Sequence, residues 1–216
     1  ISIDVKGKVE MVKFTDETTG LEHAKKGEAA IIKFERRGNE TAQRVLSWLE
    51  GRSADRPYFA WVHFYDPHQP YRAPKKFRKD EWGRYAAEVA FMDHHLGRVV
   101  DAAREHDPST LVVIASDHGE SLGEHGIHGH GSDVYEPAMR AVLVMSHPEL
   151  VPKGVKPEQR VRLTGVAPTI VDLVGVDADI AEQSLKPLLE GEEVASADPL
   201  YMETIVPALR FDKSAV

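Results

Sequence analysis

The residues best equipped for chemistry crowd into positions 116–136, in the run SDHGESLGEHG and, one residue further on, HGHGSDVYE. The chain holds eleven histidines, and six of them are His63, His68, His118, His125, His128 and His130. Histidine serves as metal ligand, general acid or pH switch, so this crowding invites a chemical reading. Asp117 and His118 set a carboxylate oxygen beside an imidazole nitrogen, a donor pair that suits a divalent cation of hard or borderline character. Adjacent side chains on a strand point to opposite faces. Both can therefore serve one site only where the chain turns after the strand, and Gly119 permits that turn. For an isolated Asp-His pair the plainer reading is the commoner one, with Asp117 capping the next turn and His118 standing in solvent. His125 and His128 also have a plain reading, as side chains bonded to backbone carbonyls in a glycine-rich loop.

These residues need a frame to hold them. Residues 110–116 (TLVVIAS) form a short unbroken apolar run, the pattern of a central parallel strand buried on both faces. Such a strand delivers Asp117 and His118 to its carboxyl end, where open α/β sheets bind ligands. Residues 140–146 (RAVLVMS) read as a second buried strand and 58–64 (YFAWVHF) as a third. The third runs into 66–74 (DPHQPYRAP), whose three prolines force a loop that carries His68. A helix is expected over 39–50, with Val45, Leu46 and Leu49 as its apolar stripe and Asn39 as its cap. Another is expected over 83–106, where Tyr85, Val89, Met92, Leu96, Val99 and Ala103 recur every three or four residues. A third covers 164–174, with Ile170, Leu173 and Val174. Helices alternating with apolar strands argue for an α/β architecture, a mixed and mostly parallel sheet flanked by helices. Residues 1–37 are weakly patterned and broken at Gly7, Gly20 and Gly27.

Composition narrows the partners. A 216-residue chain that is 42% hydrophobic and 29% charged is an ordinary globular sequence with enough length for one sizeable core. A net charge of −8 disfavours nucleic acid, whose phosphates it repels, yet leaves room for a small anion in a local cationic pocket. With no cysteine, disulfides, thiolate metal sites and a Cys nucleophile are excluded within this chain. No apolar run reaches the length of a membrane span and no signal peptide opens the chain; a start at Ile1 reads as a processing boundary.

The order and spacing of Asp117, His118, Gly119, Glu120, Gly123, Glu124, His125, Gly126, His130, Tyr135, Glu136 and Arg140 resemble the sulfatases of the alkaline-phosphatase superfamily. Three further stretches share that resemblance: Asp-Pro-His-x-Pro-Tyr at 66–71, YAAEVAFMD at 85–93, and 162–176. The tail motifs SLKPLLEG and LYMETIVPALRF extend it to about residue 211. The resemblance implies that Asp117 and His118 are metal ligands. It places His130 where the family has a cationic Lys or His against the sulfate oxygens. His68 becomes the active-site histidine that contacts sulfate and serves as acid to the leaving group, while His63, Asp66 and Asp93 are structural. The sequence departs from the family at Gly165, which stands where the family has Asp.

The implied function is hydrolysis of a small sulfate ester with one divalent cation, calcium first and manganese or zinc as alternatives. Other readings within the superfamily are phosphonate or phosphodiester hydrolysis and phosphoethanolamine transfer; a non-catalytic anion-binding relative is the reading outside catalysis. A periplasmic or otherwise extracytoplasmic location is the family expectation. Residues 1–176 would belong to the catalytic α/β domain and 177–216 to its tail. The family's acidic pair and its Cys/Ser-x-Pro-x-Arg motif, the source of formylglycine, have no counterpart here; SADRP at 53–57 is not a match. The expectation is a partial sulfatase fold whose sheet is completed by a missing N-terminal segment or by another chain.

Overall fold

A computed structural model of the chain describes residues 10–14, 36–53, 55–79, 83–194 and 201–204. Most of the weakly patterned stretch at 1–37, Ala54 within SADRP and the tail beyond Thr204 lie outside the described residues. The fold comprises two compact units, one within residues 5–110 and the other from Leu111 onward. The described part of the 177–216 tail falls in the second unit.

The first unit pairs β1 (Glu10–Phe14) in parallel with β2 (Tyr58–Val62) and packs α1 (Gly38–Glu50) on α2 (Arg84–His106). The first turn of a helix leaves backbone N–H groups without acceptors. Here no capping side chain comes from α1 itself, and the expected cap, Asn39, lies exposed inside the helix. The acceptor comes instead from the loop: Gly38 N–H donates to the Asp66 carboxylate at 2.5 Å. The buried face of α1 carries Ala42, Val45 and Leu49, which meet Val99 of α2, with Trp48, Tyr58, Val62 and Phe64 closing around them. Each large aliphatic side chain buried there contributes about 1.5–3 kcal/mol.

The α2 helix forms where the spacing predicts it, but its buried face is shifted. Ala87, Glu88, Phe91, His95 and Val99 are buried, whereas Tyr85, Val89, Met92 and Leu96 are only half-buried. The loop that follows β2 causes the shift, because Ala73 and Phe77 pack on Ala87 and Phe91 and draw that side of the helix inward. The β2 strand is not buried on both faces either. Its exposure alternates, with Phe59 38% and Trp61 60% exposed.

In the second unit, β3 (Val112–Ala115) pairs with β6 (Leu143–Ser146). The ladder is antiparallel, and its strands are half-buried rather than sealed on both faces, with Val144 49% exposed. The expected parallel central strand is thus corrected: an apolar run reports depth, and the direction of the neighbour is set elsewhere in the chain. Ser116 continues the ladder, its N–H donating to Val142 O at 3.0 Å and its hydroxyl accepting from Val142 N–H at 2.8 Å. A two-residue antiparallel ladder joins β4 (Ser121–Leu122) to β5 (His128–Gly129). The short α3 (Glu136–Met139) follows, then α4 (Val166–Leu173) and α5 (Lys186–Leu189).

The core of this unit gathers Leu185, Leu188 and Val194 against Leu143 and Val161. Gly165 is explained here. A Cβ on it would lie 3.0 Å from the Leu185 side chain and 3.2 Å from Gln183 O. The fully buried Thr169 ties the same place together, its hydroxyl donating to Gly165 O at 2.6 Å and accepting from Leu185 N–H at 2.7 Å. Among the described residues the pairing is mixed, with one parallel ladder and two antiparallel, and helices accompany the strands. No described helix is long and apolar enough to cross a membrane.

Candidate active site

The chain leaves β3 at Ala115 and turns within three residues. The glycine that permits the turn does so through close approach rather than a left-handed φ. A Cβ on Gly119 would sit 2.1 Å from Pro137 O and 2.8 Å from Arg140 O, and its N–H donates to Ala138 O at 2.8 Å. The loop after β3 is therefore seated directly on the backbone of α3.

This turn brings Asp117 and His118 to one side. The Asp117 Oδ1 and His118 Nε2 atoms lie 3.7 Å apart, with the Asp117 side chain 83% exposed. His118 Nδ1 lies 2.7 Å from Gly119 O. Because a carbonyl only accepts, Nδ1 is the donor here, and in the neutral ring the lone pair then belongs to Nε2.

His130 comes to the same place by way of the β4–β5 ladder. Its ring lies 3.9 Å from that of His118, tilted by 32°. Its Nδ1 is 3.2 Å from Glu120 Oε1 and 3.4 Å from Oε2, and the Glu120 side chain is only 6% exposed. A buried carboxylate thus holds the ring through Nδ1. Glu120 belongs to the motif read from the sequence, but its pairing with a residue ten positions away was not apparent there. Along the rim, His125 adopts φ 55 and stacks on Tyr135 at 4.2 Å and 20°. Among the described residues the stack, and no backbone carbonyl, is the contact seen for this histidine. The exposed Glu124 titrates below the usual range because its own backbone N–H and that of Leu122 bond it, the latter at 2.7 Å. From far along the chain the Thr204 hydroxyl donates to Gly131 O at 2.5 Å, next to His130.

His68 lies in the other compact unit, on the proline-rich loop after β2. It is half-buried, with Nδ1 2.7 Å from Gln69 O and Nε2 3.5 Å from the Tyr65 hydroxyl. Tyr71 adopts φ 36, a left-handed value that is strained for a tyrosine. Its N–H bonds His68 O at 3.1 Å and its ring packs edge-on against Tyr85 at 5.4 Å. Asp66 is occupied by the α1 backbone and His63 lies exposed past the end of β2.

Two ligands held about 2.3–2.6 Å from one cation, at 90–110° to each other, sit roughly 3.3–4 Å apart. The 3.7 Å between Asp117 Oδ1 and His118 Nε2 fits that span. A hard cation takes more ligands than these two. Among the described residues no group of three or more His, Asp or Glu side chains forms a cluster that could hold one alone. The pair therefore fits one part of a divalent cation site.

The chain is also similar to known proteins. The Sulfatase family profile matches residues 25–176. A sulfatase of Formosa agariphila is 38% identical over 104 residues, covering 45% of this chain and 20% of that protein. The N-acetylglucosamine-6-O-sulfatase of Bacteroides thetaiotaomicron is 28% identical over 161 residues, covering 73% of this chain and 26% of its own length. The chain thus spans about a quarter or less of these two relatives. Among solved structures, BT4656 in complex with its substrate D-glucosamine-2-N,6-O-disulfate superposes with a TM-score of 0.61 at 18% identity, over 78% of this chain and 55% of that one. The likeness of fold thus extends beyond the ladders taken singly.

Proposed function

This chain belongs to the sulfatase family, and we propose that it supplies the carboxyl-terminal part of an active site that hydrolyses a sulfate ester. The observation that carries the reading is the Asp117–His118 pair, 3.7 Å apart with the imidazole Nδ1 turned to Gly119 O, and the His130 ring 3.9 Å away. Asp117 and His118 would hold a divalent cation, with calcium as the first choice. When bound, that cation supplies positive charge beside the sulfate oxygens. His130, steadied by Glu120, directs a nitrogen toward the same oxygens.

His68 has a separate task. Cleavage breaks the S–O bond and leaves the electron pair on the ester oxygen, which needs a proton. A histidine within hydrogen-bond reach can give it. The proline-rich loop, clamped at Asp66 and Tyr71, restricts where that histidine can stand. The nucleophile comes from residues other than these, since the chain contains neither cysteine nor a Cys/Ser-x-Pro-x-Arg motif. Exposed Phe59 and Trp61 on β2, with Val142 and Val144 beside β6, support the reading that further polypeptide completes both sheets.

The test uses the intact protein that contains this chain. Calcium should raise its melting temperature, and Asp117→Asn together with His118→Ala should abolish the rise while sulfate release from 4-nitrophenyl sulfate is lost. A calcium-dependent stabilisation that survives both substitutions places the cation elsewhere and ends the reading.

A further inference from the structure

We infer that Glu88, a buried carboxylate on α2, is a positioning residue that sets the location of His68 by gathering the backbone of its loop. The inference rests on the acid role given to His68 above. The Glu88 side chain is 4% exposed, in a face of α2 that otherwise packs Ala87 and Phe91. Its Oε1 accepts the Arg72 N–H at 2.9 Å. The carboxylate therefore holds the far end of the His68–Arg72 stretch.

Neighbouring contacts close the same clamp. Arg37 donates from Nη2 to Arg72 O at 3.0 Å and stands 4.0 Å from Glu88 Oε1. Asp66 holds the entry to the loop on Gly38 N–H, and Tyr71 holds its exit on Tyr85. Without an acceptor at 88, the Arg72 amide loses its partner in a part-buried place. The loop would shift to recover it, taking the imidazole with it. A helix interior offers many places for a glutamate in solvent, so a carboxylate turned inward onto this loop has its explanation in the loop.

The experiment compares Glu88→Ala, Glu88→Gln, His68→Ala and the double variant Glu88→Ala/His68→Ala in the intact protein, using 4-nitrophenyl sulfate and phenyl sulfate. Phenoxide is the poorer leaving group and depends more on a proton donor. Glu88→Ala should lower kcat/KM for phenyl sulfate by about tenfold to a hundredfold, with a distinctly smaller loss for 4-nitrophenyl sulfate. Glu88→Gln, which keeps an acceptor oxygen, should recover part of that loss. The double variant should be no worse than His68→Ala, because the two changes remove one function. Amide exchange at Arg72 should quicken in Glu88→Ala. Equal losses on both substrates, additive losses in the double variant, or unchanged exchange at the Arg72 amide would each overturn the assignment of Glu88. A His68→Ala protein with no preference between the substrates would instead overturn the acid role of His68, and the inference would fall with it.

Discussion

At the scale of single residues, the site depends on two backbone facts and one buried carboxylate. Gly119→Ala drives a methyl into Pro137 O and Arg140 O. It should cost about 2–4 kcal/mol from overpacking and the loss of the Gly119–Ala138 hydrogen bond, as read by urea denaturation. The same variant should weaken calcium binding, since Asp117 and His118 precede it directly. Glu120→Ala should leave the fold in place and lower kcat/KM by about tenfold to a hundredfold, because a loosened His130 samples unproductive orientations. Glu120→Gln, which keeps an acceptor for Nδ1, should lose less; equal activity in all three proteins would remove Glu120 from the site. The Asp117–His118 pair was legible in the sequence because adjacency does most of the work. The Glu120–His130 contact was not, since it requires the β4–β5 ladder to close the intervening loop. The Asp66 cap on α1 was hidden for a similar reason, being a contact across 28 positions that displaces a local candidate.

At the scale of elements, α2 shows how much periodicity conveys. Its extent was legible almost to the residue, while its buried face was set by Ala73 and Phe77 packing from outside the helix. That shift buries two titratable groups with opposite consequences. Burial raises the Glu88 pKa above the usual carboxylate value, with nearby Asp66 adding to the rise and backbone N–H groups and Arg37 opposing it. From about 4.3 upward to that raised value the folded state keeps a proton that the unfolded chain has released, so this group lowers stability as pH rises. Burial lowers the His95 pKa, assisted by His94, Arg98 and Lys76. Arg98 Nη1 lies 3.2 Å from His95 Nδ1 and can only donate, so it favours the neutral ring. From about 6.5 downward to that lowered value the unfolded chain binds a proton that the folded state refuses, so this group lowers stability as pH falls. Thermal unfolding between pH 4 and 7 should show Glu88→Gln removing the first slope and His95→Gln the second. A His95→Gln profile parallel to the parent would mean that His95 does not sense its surroundings in this way.

At the scale of the whole molecule, the α/β class was legible from alternating helices and apolar runs, and the family from motifs spread over most of the chain. Strand direction was not, because 110–116 reads the same beside a parallel or an antiparallel neighbour. Half-exposure of β2 and β6 was equally hidden, since hydrophobicity announces a wish for cover and not its supplier. The 216-residue chain by itself is expected to release no sulfate from 4-nitrophenyl sulfate and to bind an apolar dye at the Trp61 face. Adding a polypeptide that supplies the proposed completing strands and nucleophile should restore turnover and displace the dye. Turnover by the isolated chain would overturn that expectation. The bond from Thr204 to Gly131 spans 73 positions and ends beside His130. It gives a distant stretch of chain a handle on the histidine loop: a proteolytic nick ahead of Thr204 would slacken that loop while leaving every proposed ligand and acid in the sequence untouched.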